Sequence, residues 1–145
     1  MAAEGDDCLF CRIAAGAEPA EIVFGDERTL AFLDNRPLFH GHSLLIPREH
    51  HATLADLPDD LIAGVFAAAK LLSVAIPAAM GKPGSFVALN NVVSQSVPHL
   101  HVHVVPRVRK DGLRGFFWPR TKYGSAAELA ATGERIRGEV ERLAR

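Results

Sequence analysis

The stretch Pro98-His99-Leu100-His101-Val102-His103-Val104-Val105-Pro106 constrains the fold of this chain more than any other. Histidine alternates with apolar residues, and a period of two is the pattern of a strand buried on one face. It predicts a strand with Leu100, Val102 and Val104 in a core and His99, His101 and His103 in a row opposite. Neighbouring imidazoles would stand roughly 6.5–7 Å apart, and the outer two about 13 Å. Two of them can share a metal ion, but not all three. From the residues alone three roles stay open: metal ligation, nucleophilic catalysis by the middle histidine, and a polar face without chemistry. Three groups titrating near neutrality on one face weigh against the last.

A chain of 145 residues with 48% hydrophobic and 23% charged residues can build one self-sufficient core. We therefore expect a single domain over residues 1–145, with an acidic tail at 1–7 and a C-terminal extension from 107. A net charge of −1 and a pI near 6.6 argue against a dedicated nucleic-acid binder, although a local basic patch remains compatible with them. No apolar run is expected to reach the ~18 residues that span a bilayer, and the acidic start lacks a basic-then-apolar leader. The expectation is a cytoplasmic protein, in which Cys8 and Cys11 stay reduced.

Along the chain, Cys8 to Gly16 reads as a short helix closed by glycine. Residues 21–24, 29–33 and 42–47 read as strands separated by turn residues. The long helix begins at Pro58 and runs to about Met80, with Leu61, Val65, Ala68, Leu72 and Ile76 at helical spacing and Ile62 and Phe66 widening the apolar face. A fourth strand covers 85–91, and the histidine strand follows a short loop. Ser125 and Glu128 stand at capping-box spacing before a terminal helix. The order predicts an α+β fold: an antiparallel sheet of about five strands, one long helix and a C-terminal helix.

Cys8-Leu9-Phe10-Cys11 suits either a redox pair or half of a zinc site. Redox chemistry needs an exposed, activated thiolate, whereas Leu9 and Phe10 are apolar filling. The segment 107–124 interleaves Arg107, Arg109, Lys110, Arg114, Arg120 and Lys122 with Phe116, Phe117, Trp118 and Tyr123. Such a segment can attract polyphosphate, grip single-stranded nucleic acid, or simply pack a helix among solvated arginines.

The run from Gln95 to Arg107 resembles the signature of the histidine triad (HIT) family. Ala31-Phe32-Leu33-Asp34 and Gly41-His42-Ser43-Leu44-Leu45-Ile46-Pro47 resemble the same family upstream, and Cys8-Leu9-Phe10-Cys11 is similar to its zinc-bearing bacterial members. This resemblance implies a dimerising α+β fold that binds nucleotides. It also implies hydrolysis or transfer at the α-phosphate through a covalent nucleotidyl-histidine, with dinucleoside polyphosphates or nucleoside phosphoramidates as substrates. The alternatives are a dinucleoside polyphosphate phosphorylase and a non-catalytic nucleotide-binding regulatory module.

Carried over by position, the resemblance makes His101 the nucleophile. His103 and His42 become its phosphate or leaving-group partners, and Gln95 and Ser96 lie beside the phosphate. Asp34 would hold the ribose and Asn90 would lie near the nucleotide. Phe10, Ile13, Ile22 and Phe32 are candidate walls for a base; the basic, aromatic segment, read by itself, adds Arg107, Trp118 and Arg120 as candidate substrate contacts. A structural zinc would take Cys8, Cys11, His50 and His99; His40 and His51 are left for the surface. Two departures bear on the substrate. Ser94 stands where the family usually has glycine, and the C-terminal extension is similar to that of longer members, including the fragile histidine triad branch.

Overall fold

The computed structural model describes residues 7–113 and 120–144. Five antiparallel strands form one sheet in the order β1-β2-β3-β5-β4. They are β1 (Ile22–Gly25), β2 (Thr29–Leu33), β3 (Ser43–Pro47), β4 (Gly84–Ala88) and β5 (Val102–Arg107). Among the described residues the helices are α1 (Leu9–Ala14), α2 (Asp59–Met80) and α3 (Ala126–Leu143). This is the expected α+β architecture. The chain divides into two compact units, Met1–Asp111, which holds the sheet, and Gly112–Arg145, which holds α3.

The sheet carries a core on each face, and strand alternation sorts residues between them. On one face Ala31, Leu45, Leu100, Val102 and Val104 pack with Leu61, Val65, Ala68, Ala69, Leu72 and Ile76 of α2. On the other, Leu30, Phe32, Leu44 and Ile46 pack with Cys8, Phe10 and Ile13 from α1 and its cap. Register places Leu44 opposite both Phe32 and His103, so the histidine side of β5 faces the smaller core under α1.

The histidine row straddles the start of β5 instead of lying within it. The Leu100 N–H donates to the His51 carbonyl and the His99 N–H to Val97, so neither enters the β3 ladder. Pairing with β3 begins only at Val102. The 3₁₀ turn Leu54–Asp56 is also absent from the sequence reading.

Helix α2 has Pro58 at its N-cap, Asp59 and Asp60 in the first turn, and left-handed Gly81 (φ +64°) at its end. Ile62 and Phe66 lie outside its buried stripe, 39% and 43% exposed, because both sides of this helix are apolar. By length and composition α2 could cross a bilayer, with an 18-residue window of mean hydropathy 2.0. Its inner face packs on the sheet instead. Gly41, at φ +97°, lets β3 start beneath α2, since an added Cβ would lie 2.7 Å from Met80 Cγ.

Candidate active site

Where β5 emerges beside β3, the backbone fixes the ring state of each histidine. His101 is 4% exposed, and its Nδ1–H donates to the His99 carbonyl at 2.8 Å. The proton assignment follows from the acceptor, and it leaves the Nε2 lone pair free. The ring packs edge-on against Phe10 at 5.1 Å and against His103 at 4.9 Å between centroids.

His42, at the mouth of β3, accepts the Leu38 N–H at Nδ1 (3.0 Å), so its proton sits on Nε2. That N–H donates to His103 Nδ1 at 3.0 Å, which places the His103 proton on Nε2. Burial lowers the pKa of both rings, His103 to about 4, with His101 pressing in the same direction and Asp34 opposing. At neutral pH the pair is uncharged and oriented, with His103 as a hydrogen-bond donor.

A cavity of about 650 Å³ opens beside His101 and His103. Phe10, Ile13, Phe32, Asp34 and Ser96 line it, along with Leu9, Leu33, Leu44, Val97, Glu18, Glu21, Asn35 and Arg36. The sequence reading missed this second group. The strand register carries a signal for Leu44, which faces His103, and adjacency to Asp34 carries one for Asn35 and Arg36.

Ile22, Gln95, Asn90 and Arg107 lie apart from the lining. Ile22 is an exposed residue of β1. The Gln95 side chain accepts the Val92 N–H and donates to the Ala52 carbonyl, so both its ends brace the loop before the histidines. The Asn90 amide donates to the Ser94 carbonyl in the same loop. Val92 and Ser94 there adopt φ +69° and +62°, a conformation that a β-branched valine rarely takes. Arg107 forms a two-pronged ion pair with Asp111. Arg120 lies in the second unit, and Trp118 outside the described residues. His40 is exposed, and half-buried His51 bonds Glu49 at 3.2 Å.

Behind the site, Cys8, Cys11, His50 and His99 bring four ligating atoms within 4.8 Å of one another. The Sγ of Cys8 is 3.3 Å from His99 Nδ1, and that of Cys11 lies 3.4 Å from His99 Nδ1 and 3.3 Å from His50 Nδ1. A tetrahedral zinc with ordinary bond lengths separates sulfur from nitrogen by about 3.6 Å, so the spacing fits. His99 Nε2–H donates to the Pro47 carbonyl at 2.8 Å, which turns its lone pair toward the thiols as a metal ligand requires. Burial beside Cys8 pushes the Cys11 thiol up to about 11, so a bound cation would displace its proton.

The model of the family described as "HIT domain" matches residues 15–110. The chain belongs to the HIT family. Among HIT relatives, Adenosine 5'-monophosphoramidase hnt1 of Schizosaccharomyces pombe is 33% identical over 136 residues, covering 92% of this chain and 98% of that one. Adenylylsulfatase HINT3 of Arabidopsis thaliana is 37% identical over 110 residues, covering 74% of this chain but only 56% of the relative. The chain therefore spans about half the length of that protein. A zinc-bound histidine triad family protein from Mycobacterium smegmatis superposes with a TM-score of 0.71 at 33% identity, covering 93% of this chain and 99% of that one.

Proposed function

We propose that this HIT protein is an enzyme that hydrolyses nucleoside phosphoramidates or similar nucleotides at the α-phosphorus through a nucleotidyl-His101 intermediate. The observation that carries the reading is the bond from His101 Nδ1–H to the His99 carbonyl, which leaves an unprotonated Nε2 beside a cavity of nucleotide size. His101 Nε2 attacks phosphorus in line as the bond to the leaving group breaks, and water then attacks that phosphorus, breaking its bond to Nε2 and returning the electron pair to His101. His103 Nε2–H is the donor on the leaving-group side of the phosphate, and Ser96 shares the cavity lining with it. Asp34 takes the ribose hydroxyls, while Phe10, Ile13, Phe32 and Leu44 supply apolar walls for the base.

The small leaving group is favoured over a long polyphosphate because Arg107 is engaged with Asp111. The fission-yeast monophosphoramidase also matches over nearly its whole length. Zinc is the metal that suits Cys8, Cys11, His50 and His99. When bound it supplies structural support, holding α1 against the segment that carries His101 into β5. Reduced thiols in such a set fit a cytoplasmic setting.

We also propose a homodimer, supported by the exposed apolar outer face of α2 (Ile62, Phe66, Leu71, Val74) and by β4 as an edge strand. Sizing at micromolar concentration should give twice the chain mass, and a monomer would contradict it. The enzyme reading is tested with a panel of adenosine 5'-phosphoramidate, a dinucleoside polyphosphate and adenosine 5'-sulfatophosphate, with and without inorganic phosphate. Water-dependent release of the nucleoside monophosphate, lost in His101→Ala, is expected. Phosphate-dependent release of a nucleoside diphosphate would replace hydrolysis by phosphorolysis, and binding without turnover would make the chain a regulatory module.

A further inference from the structure

Asp34 sits closer to the histidine pair than a nucleoside contact requires. Its Oδ2 lies 3.7 Å from His42 Nε2, and the ligating atoms of Asp34, His42 and His103 lie within 4.8 Å of one another. Its backbone N–H donates to the His42 carbonyl at 2.9 Å, and its Oδ1 accepts the Arg36 N–H at 2.9 Å. Oδ2 is thus the oxygen left for the histidines, on a side chain only 20% exposed.

We propose that Asp34 is a positioning residue for proton delivery to the leaving group: its carboxylate is the acceptor that lets His103 carry a second ring proton while His42 keeps its own. The inference rests on the hydrolase reading above and adds to it the group that controls the acid.

The reasoning starts from Leu38. Its N–H occupies His42 Nδ1, so the His42 proton is pinned on Nε2, pointing at His103 Nδ1. In that state His103 holds one proton, on Nε2, and has none to spare, because a neutral imidazole that gives up its only proton becomes an imidazolate. To act as an acid His103 must first bind a proton at Nδ1, where the His42 N–H already points. Two N–H groups cannot share that line. His42 cannot yield by changing tautomer, since its new Nδ1–H would then oppose the Leu38 N–H. A carboxylate whose Oδ2 lies 3.7 Å from His42 Nε2, and whose ligating oxygen lies within 4.8 Å of the His103 ligating nitrogen, can resolve the conflict by closing on both N–H groups and accepting them.

Burial and His101, just before β5, oppose added charge on both rings, and His42 opposes it on His103, while Asp34, from the connection between β2 and β3, favours it. The neighbours contributed by α1 and β3 are Phe10 against His101 and Leu44 across from His103, and both are apolar.

The step then balances. His101 Nε2 donates its lone pair to phosphorus as the bond to the leaving atom breaks, and the electrons of that bond go to the leaving atom. That atom takes the Nε2 proton of doubly protonated His103, which returns to neutral with its proton on Nδ1 beside Asp34. In the second half His103 Nε2 accepts a proton from the attacking water, and the phosphorus–nitrogen electrons return to His101.

The test uses Asp34→Asn, which keeps the shape and removes the charge. It is assayed on an alkylamine nucleoside 5'-phosphoramidate, whose leaving nitrogen needs a proton, and on a 4-nitrophenyl nucleoside 5'-phosphate, whose leaving group does not. Each substrate is made with ribose and with 2',3'-dideoxyribose. The expected result is a fall in kcat at least tenfold larger for the amine than for nitrophenolate, persisting in the dideoxy series. The basic limb of the pH–kcat profile should also move to lower pH. Equal falls for the two leaving groups, or a fall that vanishes without ribose hydroxyls, would overturn the assignment and leave Asp34 as a ribose contact. A wild-type protein inactive on both substrates would overturn the hydrolase reading and this inference with it.

Discussion

Acid should destabilise this fold through His103 in a window set by its ring pKa. Folding lowers that value from the ordinary 6.5 to about 4, chiefly by burial. The folded form therefore resists protonation while the unfolded chain does not, so the contribution is present above pH 6.5 and is lost as pH falls toward 4. Between pH 7 and pH 4 the linkage amounts to about 3 kcal/mol, and solvent screening at this half-buried ring lowers it to about 2 kcal/mol. Urea unfolding of wild type and His103→Gln across that range isolates the effect, because the other titrating groups are common to both. The variant should lose about 2 kcal/mol less than wild type between pH 7 and pH 4. Parallel losses in the two proteins would refute the claim that burial keeps this ring neutral.

Three further outcomes follow from packing and ligation. Phe10→Ala removes a ring that is 5% exposed and packed at 5.3 Å on Phe32 and 5.1 Å on His101, and should cost about 3–4 kcal/mol in denaturant unfolding; under 1 kcal/mol would place the ring outside the core. Gly41→Ala puts a Cβ against Met80 in a left-handed backbone position and should destabilise by at least ~1 kcal/mol, so a neutral or stabilising result would contradict the close approach. Elemental analysis of protein purified without added metal should find one zinc per chain, lost together with several degrees of melting temperature in Cys11→Ser. Zinc well below one per chain with both thiols reduced would remove the proposed ligand set.

Much of this geometry was legible in the residues, for identifiable reasons. Leu100, Val102 and Val104 enter the core under α2 because side-chain alternation survives even where the ladder does not. The strand's true start was not legible, since it depends on the His51 carbonyl capturing the Leu100 N–H, a contact between residues far apart in the chain. Ile62 and Phe66 misled for a different reason: α2 is apolar on both sides, and sequence spacing does not say which side meets the sheet. Gln95 and Asn90 carry polar groups next to the histidines, yet nothing local reveals that the loop consumes them in its own bracing. The tautomers were beyond reach altogether, because they rest on single backbone groups of Leu38, His99 and Pro47.

The central claim is that His101 Nε2 attacks phosphorus, and intact-mass analysis under single-turnover conditions tests it most directly. Rapid acid-free quenching of wild type with adenosine 5'-phosphoramidate should reveal a chain heavier by one adenylyl group, with fragmentation placing it on His101. The adduct should be absent in His101→Ala and should decay at the rate of product release. Product formed at full rate with no adduct, or an adduct carried by another residue, would contradict the account.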